Sequence, residues 1–317
     1  MFRSKKMYDL CFRSLQGLPL PARALTTYLI ESIMGRLLRA DDVIVCGYVW
    51  MSNHVHMQVF SLDCQALTHF HERLKKRLTD FLKRLLGLSH LRLWDDRTNV
   101  GEVLDLEAAI SRIVYSYLNP VRAGLARSID DYQGCNTWSE FLSVAPDVNA
   151  FVEKDVSWVL ATDIKQLSRV NPSISEEMEI IETIKRRASK RETHKVRITP
   201  LKWLEAFGIV EPKEIEAIRQ RIIANVREEE ALISSKKCLA AKLKGFVVTP
   251  TYVPGKKERK IFMFGSTKEC RWEYLERFKW FTAQCMKCYA LLKQGVANIP
   301  WPPECFRPPS PRLCNSF

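Results

Sequence analysis

The 317-residue sequence predicts an α+β fold with a mainly antiparallel sheet, and three observations carry that expectation. Residues 43–60 are rich in β-branched and aromatic side chains, interrupted by polar Ser52-Asn53, and read as two strands or one bent strand at the centre of a sheet. Leu25, Tyr28, Leu29, Ile33, Arg36 and Leu37, then Leu67, Phe70, Leu74, Leu78, Phe81 and Leu85, recur at helical spacing and predict helices over 22–38 and 66–86. The resulting order, βα then ββα then α, is that of an α+β sandwich.

The elements follow in order. Residues 8–18 alternate loosely and predict a first strand, ended by Pro19 and Pro21. Asp41-Asp42 turns the chain from the first helix into the strand pair, and Gly87 is a C-cap for the second helix. Residues 91–103 read as a polar connector bearing Trp94. A third helix is expected over 106–118, opened by Glu107 and closed by Asn119-Pro120, because a residue before proline disfavours the α region. Val121 to Leu125 then read as a turn. Pattern weakens near Ala145-Pro146-Asp147, which divides the chain into 1–147 and 148–317. Beyond it, helices are expected over 175–190, 200–207 (with Thr199 as N-cap), 211–244 and 269–293, with a β-like patch around 246–248 and 261–264. The end, from Ile299 to Pro311, is too proline-rich for regular structure.

Net charge is +13, which points to a polyanionic partner. Residues 1–150 carry 18 Lys and Arg against 16 Asp and Glu, the remainder 31 against 20, so the surplus lies in the second half. That half is expected to be a helix-rich basic region that binds DNA or is accessory to it. No run approaches the ~18 uncharged apolar residues of a membrane span, and the first residues lead into no signal-like apolar core. A cytoplasmic, nucleoid-associated protein with no membrane partner is expected, as monomer or homodimer. The ten cysteines show no disulfide-framework spacing. Cys285 and Cys288, with Cys270 and Cys305 loosely placed around them, read as core thiols rather than a zinc site.

The chemistry-bearing stretch is Met51-Ser52-Asn53-His54-Val55-His56. On a strand, residues i and i+2 share a face, so His54 and His56 project side by side with Gln58 next in the row. Two imidazoles on a rigid sheet can grip one divalent cation, or they can be two histidines on a wet strand face. A second His-x-His, at His69 and His71, falls on a helix, where its members lie about 200° apart and cannot share a metal. The third helix offers Tyr115, with Asn119 one turn later on the same face, while Tyr117 points elsewhere.

The pairing of these two segments resembles the HUH single-tyrosine transposases, in particular the REP-associated tyrosine transposase branch. That family is similar in a Met-Pro-Asn-His-Val-His core followed, about sixty residues on, by a Tyr-Ile-x-x-Asn-Pro-Val-Arg-Ala-Gly-Leu helix end. Here Ser52 replaces the proline, and the second segment is Tyr115-Ser116-Tyr117-Leu118-Asn119-Pro120-Val121-Arg122-Ala123-Gly124-Leu125. The likeness covers about residues 8–145 and implies an HUH-type ferredoxin-like sandwich. It implies a transposase-type endonuclease and strand transferase acting on single-stranded DNA beside REP-like palindromic hairpins. His54, His56 and Asn119 would hold Mg²⁺ or Mn²⁺, and Tyr115 would form a 5′-phosphotyrosine link. Arg122 would contact a phosphate or cap the preceding helix. Arg73, Lys76, Arg77, Lys83 and Arg84, on the basic face of the second helix, are a candidate DNA track or a solvated face. Gln58 stands where an aliphatic residue is common. Two other readings stay open: a DNA-binding relative without catalysis, and a histidine-triad-like nucleotide hydrolase or transferase, in which the Tyr115 segment would have no role.

Overall fold

A computed structural model of the chain describes residues 3–15, 23–40, 42–51, 53–168, 172–236, 262–305 and 307–308. Its central sheet has the order β2-β3-β1-β4-β7, from β1 (Lys6–Ser14), β2 (Val43–Trp50), β3 (His54–Ser61), β4 (Trp94–Val103) and β7 (Met263–Phe264). The first four pair antiparallel, and β7 joins β4 in parallel. β1 therefore sits in the middle, and its register sets Asp9 opposite Gln58 and Cys11 opposite His56.

Alternation along β3 assigns its two faces. Val55, Met57 and Val59 join α1 (Arg23–Leu37) and α2 (Cys64–Leu86) in one core, while Phe60 joins α3 (Leu106–Arg122) in the other. Burying each such side chain is worth roughly 1.5–3 kcal/mol, so a one-residue slip would forfeit a whole face. Asp63 starts α2 by accepting from the backbone N–H groups of Gln65 and Ala66, and Gly87 ends it at φ 66°.

The expected connector over 91–103 is instead strand β4. Two of its polar side chains find tertiary partners: Glu102 is buried and takes an ion pair from Arg3, and Trp94 Nε1 donates to the Lys75 carbonyl at 3.0 Å. The third helix also differs, running through Asn119 and Pro120 to Arg122. A proline in the last turn removes only one intrahelical bond, and burial of Pro120 and Val121 against the core outweighs it. The helix then closes with Leu125 N–H on the Pro120 carbonyl (2.8 Å) and Gly124 N–H on the Val121 carbonyl (3.0 Å). Gly124 has φ 71°. This is a Schellman closure, so Ala123-Gly124-Leu125 is a helix cap before it is anything else.

Beyond α4 (Trp138–Ser143), packing crosses the expected boundary near Pro146. β5 (Val152–Ser157) and β6 (Thr193–Ile198) form a two-stranded sheet that sequence pattern missed, and Val156, Val196 and Ile198 share the core of α1 and α2. α5 (Ile174–Ala188) packs there too, with a capping box between Ser173 and Glu176. The helix expected over 200–207 is a 3-10 segment, Lys202–Phe207, and Thr199 N–H goes to the Val45 carbonyl rather than the chain capping there with Thr199. α6 (Pro212–Lys236) lays Ile215, Ile218, Ile222 and Val226 on the α3 core, and α7 (Lys268–Lys293) follows β7. The remainder of the helix expected to 244, and the patch at 246–248, lie outside the described residues. No described helix is long and apolar enough to cross a membrane.

Candidate active site

Three side chains meet between β3 and α3. The rings of His54 and His56 lie edge to face with centroids 5.2 Å apart, and His56 meets Tyr115 in the same way at 5.4 Å. The strand period of two puts both histidines on the sheet face toward α3, and the helix brings Tyr115 against His56. Tyr117, two residues on, turns into the core: it is 2% exposed, its hydroxyl faces Thr137, and it packs edge-on to Trp138 and tilted against Phe141. Only Tyr115 of the two remains half-exposed beside the histidines.

His54 Nδ1 lies 2.7 Å from the Asn53 carbonyl oxygen Oδ1. That oxygen only accepts, which places the proton on Nδ1 and leaves the Nε2 lone pair available. Burial, with His56 and Arg13 nearby, pushes His54 down to about 3; burial, with Arg112 and Arg13, does the same to His56. Both rings are therefore neutral near pH 7, the form that ligates a metal. His56 Nδ1 and Asn119 Nδ2 are buried without hydrogen-bond partners, and Asn119 is 8% exposed one turn after Tyr115. Two neutral imidazoles and a buried amide fit a divalent ion that keeps open positions. Among the described residues no three His, Cys, Asp or Glu side chains gather as a metal-binding group.

Gln58 does not extend the histidine row toward a ligand site. Its amide donates to Asp9 Oδ1 at 2.9 Å and to Ser116 Oγ at 2.7 Å, which uses both of its hydrogens. Asp9, 1% exposed, is held on its other oxygen by Arg112, through Nε at 3.0 Å and Nη2 at 2.6 Å. Burial pushes the Asp9 carboxyl up, and the Arg112 guanidinium and Gln58 amide oppose that. The Arg112 guanidinium carbon stands 4.5 Å from the centre of the Tyr115 ring, and that of Arg122 stands 5.1 Å away. Asp9 and Arg112 escaped sequence reasoning, although each left a sign: Asp9 is an acid inside the apolar run Met7 to Phe12, and Arg112 lies three residues, one turn, before Tyr115.

The other expected DNA contacts are placed differently. Arg122 reaches across to α6, with Nη2 donating to Glu229 Oε2 at 2.5 Å. Arg73, Lys76, Arg77, Lys83 and Arg84 ride on α2, whose apolar stripe packs on the sheet face opposite α3. The sheet thus stands between that basic face and Tyr115, and the structure does not bring them together. His71 Nδ1 lies 3.1 Å from the Leu67 carbonyl, away from any ligand role with His69. Cys288 is buried near the Pro300 carbonyl, and the sulfurs of Cys285 and Cys305 are 3.2 Å apart; none of the three is in a disulfide.

No family model and no curated protein matches the chain. Among solved structures, it is similar to the REP-associated tyrosine transposase bound to a REP hairpin, at a TM-score of 0.38 and 15% identity, covering 45% of this chain and 82% of that one. The likeness is distant in fold overlap and in sequence.

Proposed function

We propose that the chain is a metal-assisted endonuclease and strand transferase for single-stranded DNA, with Tyr115 as nucleophile. The observation that carries this reading is the sorting of the two tyrosines on α3: Tyr117 is spent on the core, while Tyr115 packs half-exposed on His56. A phenol placed beside two neutral imidazoles has no packing role that a phenylalanine could not fill.

In this reading the Tyr115 hydroxyl oxygen attacks the scissile phosphorus. The P–O bond to the 3′ oxygen breaks, a 5′-phosphotyrosine bond forms, and the phenolic proton is balanced by protonation of the leaving 3′ oxygen. A divalent cation, Mg²⁺ or Mn²⁺, supplies Lewis-acid polarisation of the phosphate when bound. His54 through Nε2, His56 and the Asn119 amide oxygen would hold it. His54 is oriented by Asn53, and burial keeps both rings uncharged. Single-stranded DNA beside a hairpin is the substrate implied by the sequence likeness of the two motifs, and the positive charge of the chain suits any nucleic acid.

Incubation with end-labelled hairpin DNA and Mn²⁺, resolved on a denaturing gel, tests this. A covalent adduct that disappears with EDTA is expected. Retarded mobility on a native gel with no adduct and no cleavage would instead support binding alone.

A further inference from the structure

Arg112 is built firmly into the site beside Tyr115. Asp9 grips its Nε and Nη2 in a buried pair, with side-chain exposures of 18% for Arg112 and 1% for Asp9. Its guanidinium carbon lies over two rings, Tyr115 at 4.5 Å and Phe264 at 4.3 Å. Phe264 belongs to β7, which adds to β4 through Leu104 N–H on the Phe264 carbonyl at 2.9 Å. The opposing strand makes room by having no side chain: a Cβ on Gly101 would fall 2.3 Å from the Phe264 ring. A planar cation packed on two aromatic rings, with one edge on a carboxylate, is restrained in the folded state. Its remaining terminal nitrogen, Nη1, makes no hydrogen bond among the described residues.

We propose that Arg112 is a catalytic residue of this site, donating from Nη1 to a non-bridging oxygen of the phosphate that Tyr115 attacks. The proposal rests on the Tyr115 reading above and names a group that reading does not contain. As the new P–O bond forms and the bond to the 3′ oxygen breaks, charge on the non-bridging oxygens redistributes. A fixed guanidinium meets it without reorganising, which is where preorganised donors are most effective. Asp9 keeps the fork aimed, and Phe264 of β7 packs on it. Arg122 is the poorer candidate: it is engaged with Glu229 and its side chain is 36% exposed.

The test compares wild type, Arg112→Ala and the double variant Asp9→Asn/Arg112→Ala in single-turnover adduct formation on hairpin DNA. The double variant leaves no buried carboxylate without its cation, so it keeps the experiment open if the single one fails to fold. We expect adduct formation to slow by about 10²- to 10³-fold, with equilibrium DNA affinity changed much less. Millimolar guanidinium should restore at least about a tenth of the wild-type rate in either variant, while equal urea or sodium chloride should not. A purely structural arginine would show no such rescue. A rate within threefold of wild type, or a folded variant that guanidinium does not rescue, overturns the proposal. A wild type that forms no Tyr115-dependent adduct overturns the underlying reading instead, so the two failures are distinct.

Discussion

Tyr115 meets the face or edge of His56 with ring centres 5.4 Å apart and planes at 82°, whereas Tyr117, two residues along the same helix, is sealed from solvent. The two phenols should therefore separate cleanly on mutation. Tyr115→Phe is expected to abolish adduct formation and leave stability within about 0.5 kcal/mol, as for a surface-like change. Tyr117→Phe removes a long hydrogen bond to Thr137 and should cost about 1 kcal/mol in urea unfolding while sparing the reaction.

Gln58 ties Asp9 to Ser116, so its loss should be felt as packing chemistry. Gln58→Leu leaves Asp9 Oδ1 buried without a donor, and we expect destabilisation of about 1–3 kcal/mol by denaturant titration. Mn²⁺ affinity, read by calorimetry, should change little, because both amide hydrogens are already committed away from the histidines.

The two histidines contribute to the acid limb of stability. Each has a folded value pushed down to about 3 against an ordinary value near 6.5. Below about pH 6.5 the unfolded chain binds protons that the folded chain refuses, so stability falls as pH falls from 6.5 toward 3. Each histidine contributes at most about 1.4 kcal/mol per pH unit to that slope. In EDTA, the urea midpoint should drop between pH 7 and 5, and His56→Gln should flatten the drop.

Gly101→Ala places a methyl group into the Phe264 ring. The ring must swing off Arg112, and overpacking of this kind costs about 1–3 kcal/mol. Thermal unfolding should register that loss. Glu229→Gln should do the opposite of harm: the Arg122–Glu229 pair is more than a third exposed on each side and worth little to stability. Released from Glu229, Arg122 should raise single-stranded DNA affinity a few-fold at low salt, measured by anisotropy.

These residues also show what a sequence discloses. His54 and His56 were legible because a period of two on an apolar strand leaves one reading of their direction, and Tyr115 with Asn119 because i and i+4 share a helix face. The helices of 22–38 and 66–86 announced themselves through apolar stripes. β4 did not, since its buried Glu102 is paired with Arg3, 99 positions away, which no local pattern reveals. Asp9 and Arg112 lie 103 positions apart, and Arg122 and Glu229 lie 107 apart, so each pair exists only once the sheet and helices have assembled. The Asn119-Pro120 step misled for a physical reason as well: a proline in the final turn loses one bond, and burial of its neighbours holds the helix together.

The most direct measurement locates the covalent bond. The adduct formed on hairpin DNA is digested with nuclease and trypsin, and the peptide covering residues 113–122, which contains both Tyr115 and Tyr117, is fragmented by mass spectrometry. We expect the nucleotide remnant on Tyr115 and none on Tyr117. A remnant on Tyr117, on a histidine or elsewhere in the chain, or an adduct that persists in Tyr115→Phe, would contradict the assignment.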